Sequence, residues 1–321
     1  MKNNALIVGS VAYDVIFSIN GDIRKELFLE KGKIGKVNMM FTANKKQKYY
    51  GGTAGNIAYG LGLLDQNPYV FSVVGKDFKQ DYKNHLRDLG INLKIIEKEN
   101  GYTATFYGIS DEEFQQIGIW QPDVYGEFIE DVSLQDTLSV RDFENIQIAI
   151  FSPGTGPSTR NHILELRKKN ANKAKIIFDP SQSLSISYDK ILLTECLSLA
   201  DIMIGNQTEI QQLKSLFSLN LQDLFDLGIS YIIETLGEEG SIIHEESGSK
   251  RIGVYRPDRV IETTGAGDAF RSGLIYGLTN DFDIYKSTQI GSYMGAKSVE
   301  EMAGQMYTIN KDHFKSFLNT L

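Results

Sequence analysis

Cysteine is almost missing from this chain: Cys196 is the single one in 321 residues, so an intrachain disulfide cannot form. It lies in the apolar run KILLTECLSLADIMIG with no histidine near it in sequence, which marks a buried thiol rather than a nucleophile. The four histidines, His85, His162, His244 and His313, are scattered without the spacing of a metal site. No apolar run approaches the ~20 residues needed to span a bilayer. The opening stretch MKNNALIVGSVAYDVIF lacks the apolar core and small-residue cleavage site of a secretory signal, so a cytoplasmic protein without membrane contact is expected. Lysine and arginine number 33 against 41 aspartates and glutamates, a net charge of −8. With no basic block to neutralise phosphates, nucleic acid is not an expected partner. Only six prolines occur, and no linker-like Pro/Gly/Ser run, internal repeat or low-complexity tract appears.

What the chain does have is 41% hydrophobic residues, enough for a full core, arranged as strand-like runs alternating with helical periodicity. NALIVGS, YVFSVVG, IQIAIFSPG, AKIIFDPSQ, ADIMIGN and SYIIETLG read as strands. GNIAYGLGLL, FKQDYKNHLRDLG, TRNHILELRKKN and EIQQLKSLF read as helices. This pattern predicts βαβ units, a mainly parallel sheet covered on both faces, and ligands at the carboxyl ends of its strands. Residues 15–50 and 98–125 break the alternation, being polar, β-branched and aromatic. They predict a small, discontinuous β lid beside a catalytic domain made of residues 1–14, 51–97 and 126–321; the alternative is a pair of long surface loops.

The stretch VIETTGAGDAFRSGLIYGL, preceded by the strand-like RIGVYRP, carries the most chemistry. Two glycines and an alanine precede a helical face of Ala269, Phe270, Gly273, Leu274 and Leu278. Gly265, Ala266 and Gly267 then fall at a helix N-terminus, where free amides and the helix dipole suit a phosphate. Asp268 beside them is a candidate general base, or an ordinary N-capping aspartate. YYGGTAGNIAYGLGLL is a second glycine turn entering a helix, with Gly51, Gly52 and, in its first turn, Asn56. Asp14, placed at the end of the first strand LIVGSVAYDVIF, suits a vicinal diol; turn and cap roles remain open for both stretches. Asn206 and Glu209, three apart at a helix start, fit either a water-mediated Mg²⁺ contact or a capping box. Thr235, Gly237 and Gly240 follow another strand as a phosphate-contacting turn would. The chain lacks the GxxxxGK[ST] loop, the HRD and DFG pair of protein kinases, and a GxGxxG after its first strand.

Together GGTAGNIAYGLGLL, NQTE, TLGEEGS and TTGAGDAF resemble, in order and spacing from about residue 5 to 307, the PfkB or ribokinase-like family of small-molecule kinases. FDPSQSL, GAGDAFRSG with Arg271, VGKDFKQDY, GYTATFYGISDEEFQQ and GSYMGAKSVEEMAGQ resemble its bacterial adenosine kinase branch more closely. The resemblance implies a ribokinase-like three-layer α/β/α fold with a β lid, ATP as donor and Mg²⁺ as cofactor, with K⁺ activation left open. It implies transfer to the 5′-hydroxyl of a nucleoside, adenosine giving AMP, or in the alternative to a sugar such as ribose or fructose. Asp268 is then the base, Gly265 to Gly267 the anion hole, and Asp14, Gly51, Gly52 and Asn56 the acceptor site. Asn206 with Glu209 would organise Mg²⁺ and phosphate; Thr235, Gly237, Gly240 and Gln305 would line the ATP groove. Phe106, Tyr107 or Trp120 would stack on a purine or serve as core or dimer contacts, and a homodimer through the lid is implied.

Overall fold

Tyr69–Gly75 is buried at every position, as a strand covered by helices on both faces must be. The computed structural model describes residues 5–26, 29–30, 33–34, 40–112 and 115–321. Its strands are β1 (Ala5–Val8), β2 (Ala12–Ile19), β3 (Leu29–Glu30), β4 (Lys33–Ile34), β5 (Ala43–Gly51), β6 (Tyr69–Gly75), β7 (Asn92–Lys98), β8 (Thr105–Ser110), β9 (Gln116–Gln121), β10 (Ile148–Phe151), β11 (Lys175–Phe178), β12 (Ile202–Asn206), β13 (Tyr231–Thr235), β14 (Ser241–Glu245) and β15 (Gly248–Ile252). Nine form one sheet in the order β15-β14-β13-β12-β11-β10-β1-β6-β7. Every pairing from β13 to β7 is parallel, and β14 and β15 close one end antiparallel. Alternate side chains feed two cores: Leu6, Phe71, Phe151, Phe178 and Met203 on one face, Ile7, Val70, Ile150, Ile177 and Ile204 on the other. This is the mainly parallel, doubly covered sheet that the alternation predicts and the ribokinase-like α/β fold that the resemblance implies.

A separate four-stranded sheet has the order β5-β2-β8-β9, with β2 and β8 parallel and the outer pairs antiparallel. It draws on both segments that break the helical alternation, although it begins at Ala12 and the chain has already entered a helix at Asp123–Phe128. The run LIVGSVAYDVIF is therefore two strands in two sheets, and Asp14 lies inside β2 of the small sheet rather than at the end of a main-sheet strand. The break has local causes. A Cβ at Gly9 would sit 2.2 Å from Ser152 Oγ, Ser72 Oγ accepts from the Val11 amide at 3.1 Å, and the Ser10 carbonyl accepts from Ala54 at 2.9 Å. RIGVYRP also differs from expectation: β15 stops at Ile252, and residues 253–265 run without regular structure up to the glycine loop. Among the described residues, no helix is long and apolar enough to cross a membrane.

Helix Ala266–Thr279 packs against helix Ile284–Ser298, which the sequence pattern did not single out. Gly273 makes the close approach: a Cβ there would lie 2.5 Å from the Ile290 carbonyl oxygen. Helix propensity alone would make Gly273→Ala stabilising by about 1 kcal/mol. We expect instead a lower urea midpoint, because overpacking costs about 1–3 kcal/mol; a raised midpoint would contradict this packing.

Candidate active site

Gly265 caps helix Ala266–Thr279 in the left-handed region, at φ 83°, and a Cβ there would come within 2.7 Å of Gly304 Cα. Glycine meets both demands. Asp268 is the third helical residue, and its Oδ2 accepts from Asn56 Nδ2 of helix Thr53–Leu63 at 2.8 Å. The cap is thus the backbone of Gly265, and the Asp268 carboxylate is engaged by another helix instead. The Gly265 and Gly267 amides meet no acceptor among the described residues, whereas the Ala266 amide donates to the Thr263 carbonyl at 3.2 Å. Two of the three expected anion-hole donors are therefore free, and the third is shared with the loop's own turn.

Asp14 is 7% exposed, and among the described residues no donor reaches its carboxylate. Burial, with Asp268 and then Glu262 nearby, pushes it up to about 7. Gly51 has no side chain where one would strike it, its Cβ position being 2.3 Å from Asp14 Oδ2. Gly52 turns the chain into the next helix at φ 84°. Paired neighbours across strands share a face, so the register Asp14↔Tyr49, Asp14↔Phe106 and Phe106↔Trp120 sets three aromatics in a row with Asp14. Tyr107 pairs with Val15 and Ile119 and falls on the opposite face. Burial also pushes Asp268 up, to about 6, against the opposing pull of Arg271 and the Asn56 hydrogen bond.

Arg271 is the neighbour that the motif reading named without a role. Its Nη2 donates to Asp179 Oδ1 at 2.6 Å and its Nε to the other carboxylate oxygen, while Nη1 donates to the Gly267 carbonyl at 3.0 Å. Asp179 follows β11, so the pair pins the glycine-loop helix to the sheet. The nearby carboxylates, Asp179 first, hold the guanidinium above its ordinary range against the cost of burial. Asn206 and Glu209 do form the capping box: Asn206 Oδ1 accepts from the Glu209 amide at 2.9 Å, and Glu209 Oε2 from the Asn206 amide at 2.8 Å. Asn206 Nδ2 also donates to Glu209 Oε1 at 3.0 Å. Burial, and then the Asp179 charge, raise the Glu209 carboxyl. Asn206 pairs with Thr235 across β12 and β13, and Gly237 and Gly240 follow at φ 59° and 89°, so these four lie together at the carboxyl ends of adjacent strands. Among the described residues, no cluster of three or more His, Cys, Asp or Glu could hold a metal ion.

Gln305, expected to line the ATP groove, instead lies behind Asn56. It is 3% exposed, and its amide bonds Asn56, Tyr82 and His85. Tyr82, His85, Asp179 and Gly304 are neighbours that the sequence reading did not assign to the site; the glycine just before Gln305 was the one faint signal for this wall.

A carboxylate at a glycine-loop helix, at the carboxyl ends of parallel strands and beside a second small sheet, suits a small-molecule kinase that acts on a hydroxyl. The chain matches the pfkB family carbohydrate kinase over residues 7–309 and belongs to that family. It is 28% identical to a nucleoside kinase of Methanocaldococcus jannaschii, over 91% of this chain and 89% of that one. It superposes on the Burkholderia thailandensis nucleoside kinase in complex with inosine with a TM-score of 0.83 at 27% identity, covering 98% and 97% of the two chains. For that enzyme in complex with ADP-inosine, the TM-score is 0.82 at 27% identity over 98% and 95%.

The raised Asp14 carboxyl predicts a stability effect of definite sign. Its folded value exceeds the unfolded one, so the native state holds the extra proton between about pH 4 and 7, and stability falls as pH rises through that window. Asp14→Asn, which buries no charge, should therefore raise the Tm of the ligand-free protein at pH 8 and change it little at pH 4. Equal effects at both pH values would refute the raised carboxyl.

Proposed function

We propose that the protein transfers the γ-phosphoryl group of ATP to the 5′-hydroxyl of a nucleoside, adenosine foremost, giving AMP. The observation that carries this reading is Asp14: a buried carboxylate that meets no donor among the described residues, in line with Tyr49, Phe106 and Trp120 and close to Asp268. A vicinal diol supplies two donors to such a carboxylate, and the aromatic row offers the ring face that a purine needs and a free sugar does not. The similarity to nucleoside kinases, one of them described with inosine, supports the same choice.

In this reading Asp14 and Asn56 hold the ribose, and the small sheet serves as a lid whose closure excludes water that would otherwise hydrolyse ATP. Asp268, with its carboxyl raised toward neutrality, takes the proton from the 5′-hydroxyl as the oxygen attacks in line. The Gly265 and Gly267 amides, with the helix dipole, meet the charge on the transferring group. Thr235, Gly237 and Gly240 border the ATP phosphates. The donor set suits a Mg²⁺ ion carried by the nucleotide: with both Glu209 oxygens already accepting from Asn206, Glu209 would hold the ion's waters. Bound there, Mg²⁺ neutralises phosphate charge. A homodimer would cover the exposed Tyr107 and Ile119 on the outer face of the small sheet, and a cytoplasmic location fits such a salvage reaction.

The test is ADP release across adenosine, inosine, guanosine, cytidine, ribose, fructose and fructose 6-phosphate. Adenosine is expected to give the highest kcat/KM; preference for a free or phosphorylated sugar would overturn the nucleoside reading. Asp268→Asn should keep the fold and ATP binding while kcat drops by at least ~10², and near wild-type turnover would remove Asp268 from the role. A diol stabilises the charged form of Asp14, so nucleoside KM should fall as pH rises toward about 7 and level off above it.

A further inference from the structure

Behind Asp268 the hydrogen bonds can run in one direction only. An ionised carboxylate accepts and does not donate, so Asn56 must present Nδ2 to Asp268. Asn56 Oδ1 then faces Gln305, whose Nε2 donates to it at 3.0 Å. The same Nε2 reaches the Tyr82 hydroxyl oxygen at 2.9 Å. That oxygen must accept, because its own hydrogen goes to the Gly51 carbonyl at 2.7 Å. Two separate acceptors, the Asp268 carboxylate and the Gly51 carbonyl, thus impose the same orientation on Gln305. Its Oε1 is left facing His85 Nε2 at 3.1 Å, so that ring nitrogen must carry a hydrogen. The ring itself is gripped by aromatics, stacking on Tyr59 at 5.3 Å and 12° and lying against Tyr50 at 4.8 Å.

We propose that Gln305, oriented by Tyr82 and His85 together, is a positioning residue for phosphoryl transfer: it fixes the polarity of the Asn56 amide, so that the base always meets a donor and never the Asn56 oxygen. The proposal rests on Asp268 being the base. The two ends of an amide have nearly the same shape, so packing alone does not choose between them. A flipped Asn56 would set an oxygen against the carboxylate and replace an attraction with a repulsion. Asp268 also faces Arg271, Asp179, Asp14 and Tyr307, none of which orients Asn56. His85 faces Asp88 as well as the three tyrosines. Gly304 completes the wall: a Cβ there would stand 2.8 Å from Asn56 Nδ2 and 3.0 Å from Oδ1, so the bare backbone leaves the amide its place and Gln305 supplies its direction.

Gln305→Glu keeps the shape and reverses the polarity, since a carboxylate at 305 attracts Asn56 Nδ2 and turns Oδ1 toward Asp268. Gln305→Met keeps the volume and removes the direction. Carbon-13 NMR titration of Asp268 in the ligand-free protein should show its pKa raised by about one unit in Gln305→Glu and by less in Gln305→Met and His85→Phe. His85→Gln, which retains an N–H donor, should restore the wild-type value. The acid limb of kcat/KM should move with the titration. A wild-type Asp268 titration in Gln305→Met and His85→Phe overturns the proposal, and these two decide it even where Gln305→Glu does not fold. A shifted titration with an unmoved acid limb would uphold the amide chain and overturn Asp268 as the base.

Discussion

The buried guanidinium of Arg271 holds the carboxyl edge of the sheet together. It takes both oxygens of Asp179 from the end of β11, ties back to the Gly267 carbonyl, and lies close enough to Asp268 and Glu209 for all three carboxylates to act on it. Removing one partner of such a pair leaves an uncompensated buried charge and costs about 3–5 kcal/mol. Because Arg271 sits one helical turn after the glycine loop, the same contact that secures the helix also sets where the helix mouth opens. The Gly265 and Gly267 amides, the Asp268 carboxylate and the Asn206–Glu209 box therefore have fixed places relative to one another.

Around this anchor the protein leaves polar needs unmet in one direction. Among the described residues, Asp14 is buried without a donor, two loop amides lack acceptors, and Asp268 is held by a single amide from Asn56. Each omission costs stability in the empty protein and would be relieved by a ligand carrying a diol, a phosphate and a reactive hydroxyl. The neighbouring wall of Gln305, Tyr82 and His85 is hydrogen-bonded throughout, so the unmet groups beside it mark the face where a ligand belongs.

Much of the fold was legible in the sequence, because strand and helix periodicity are local properties and the main sheet is built from short apolar runs. The glycine loop, Asn56 and the Asn206–Glu209 pair were visible as motifs for the same reason. The sequence left Asp268 open between cap and base, and it also left the capping box open; the contact with Asn56 and the paired hydrogen bonds at Asn206 settled what those side chains touch. The division of LIVGSVAYDVIF between two sheets was not visible, since it depends on Ser152 and Ser72 approaching Gly9 and Val11 from other strands. The contact of Gln305 with Asn56 was not visible, since the two are 249 residues apart.

By itself the sequence determined the alternating βα architecture and the glycine turns that must open helices, because these follow from residues a few positions apart. Only the tertiary structure decided that Asp14 would be buried with no partner among the described residues, that Arg271 would clamp Asp179 across 92 residues, and that Asn56 would point its nitrogen at Asp268. Those outcomes depend on burial and on the direction of hydrogen bonds, which exist only once distant segments have closed around one another.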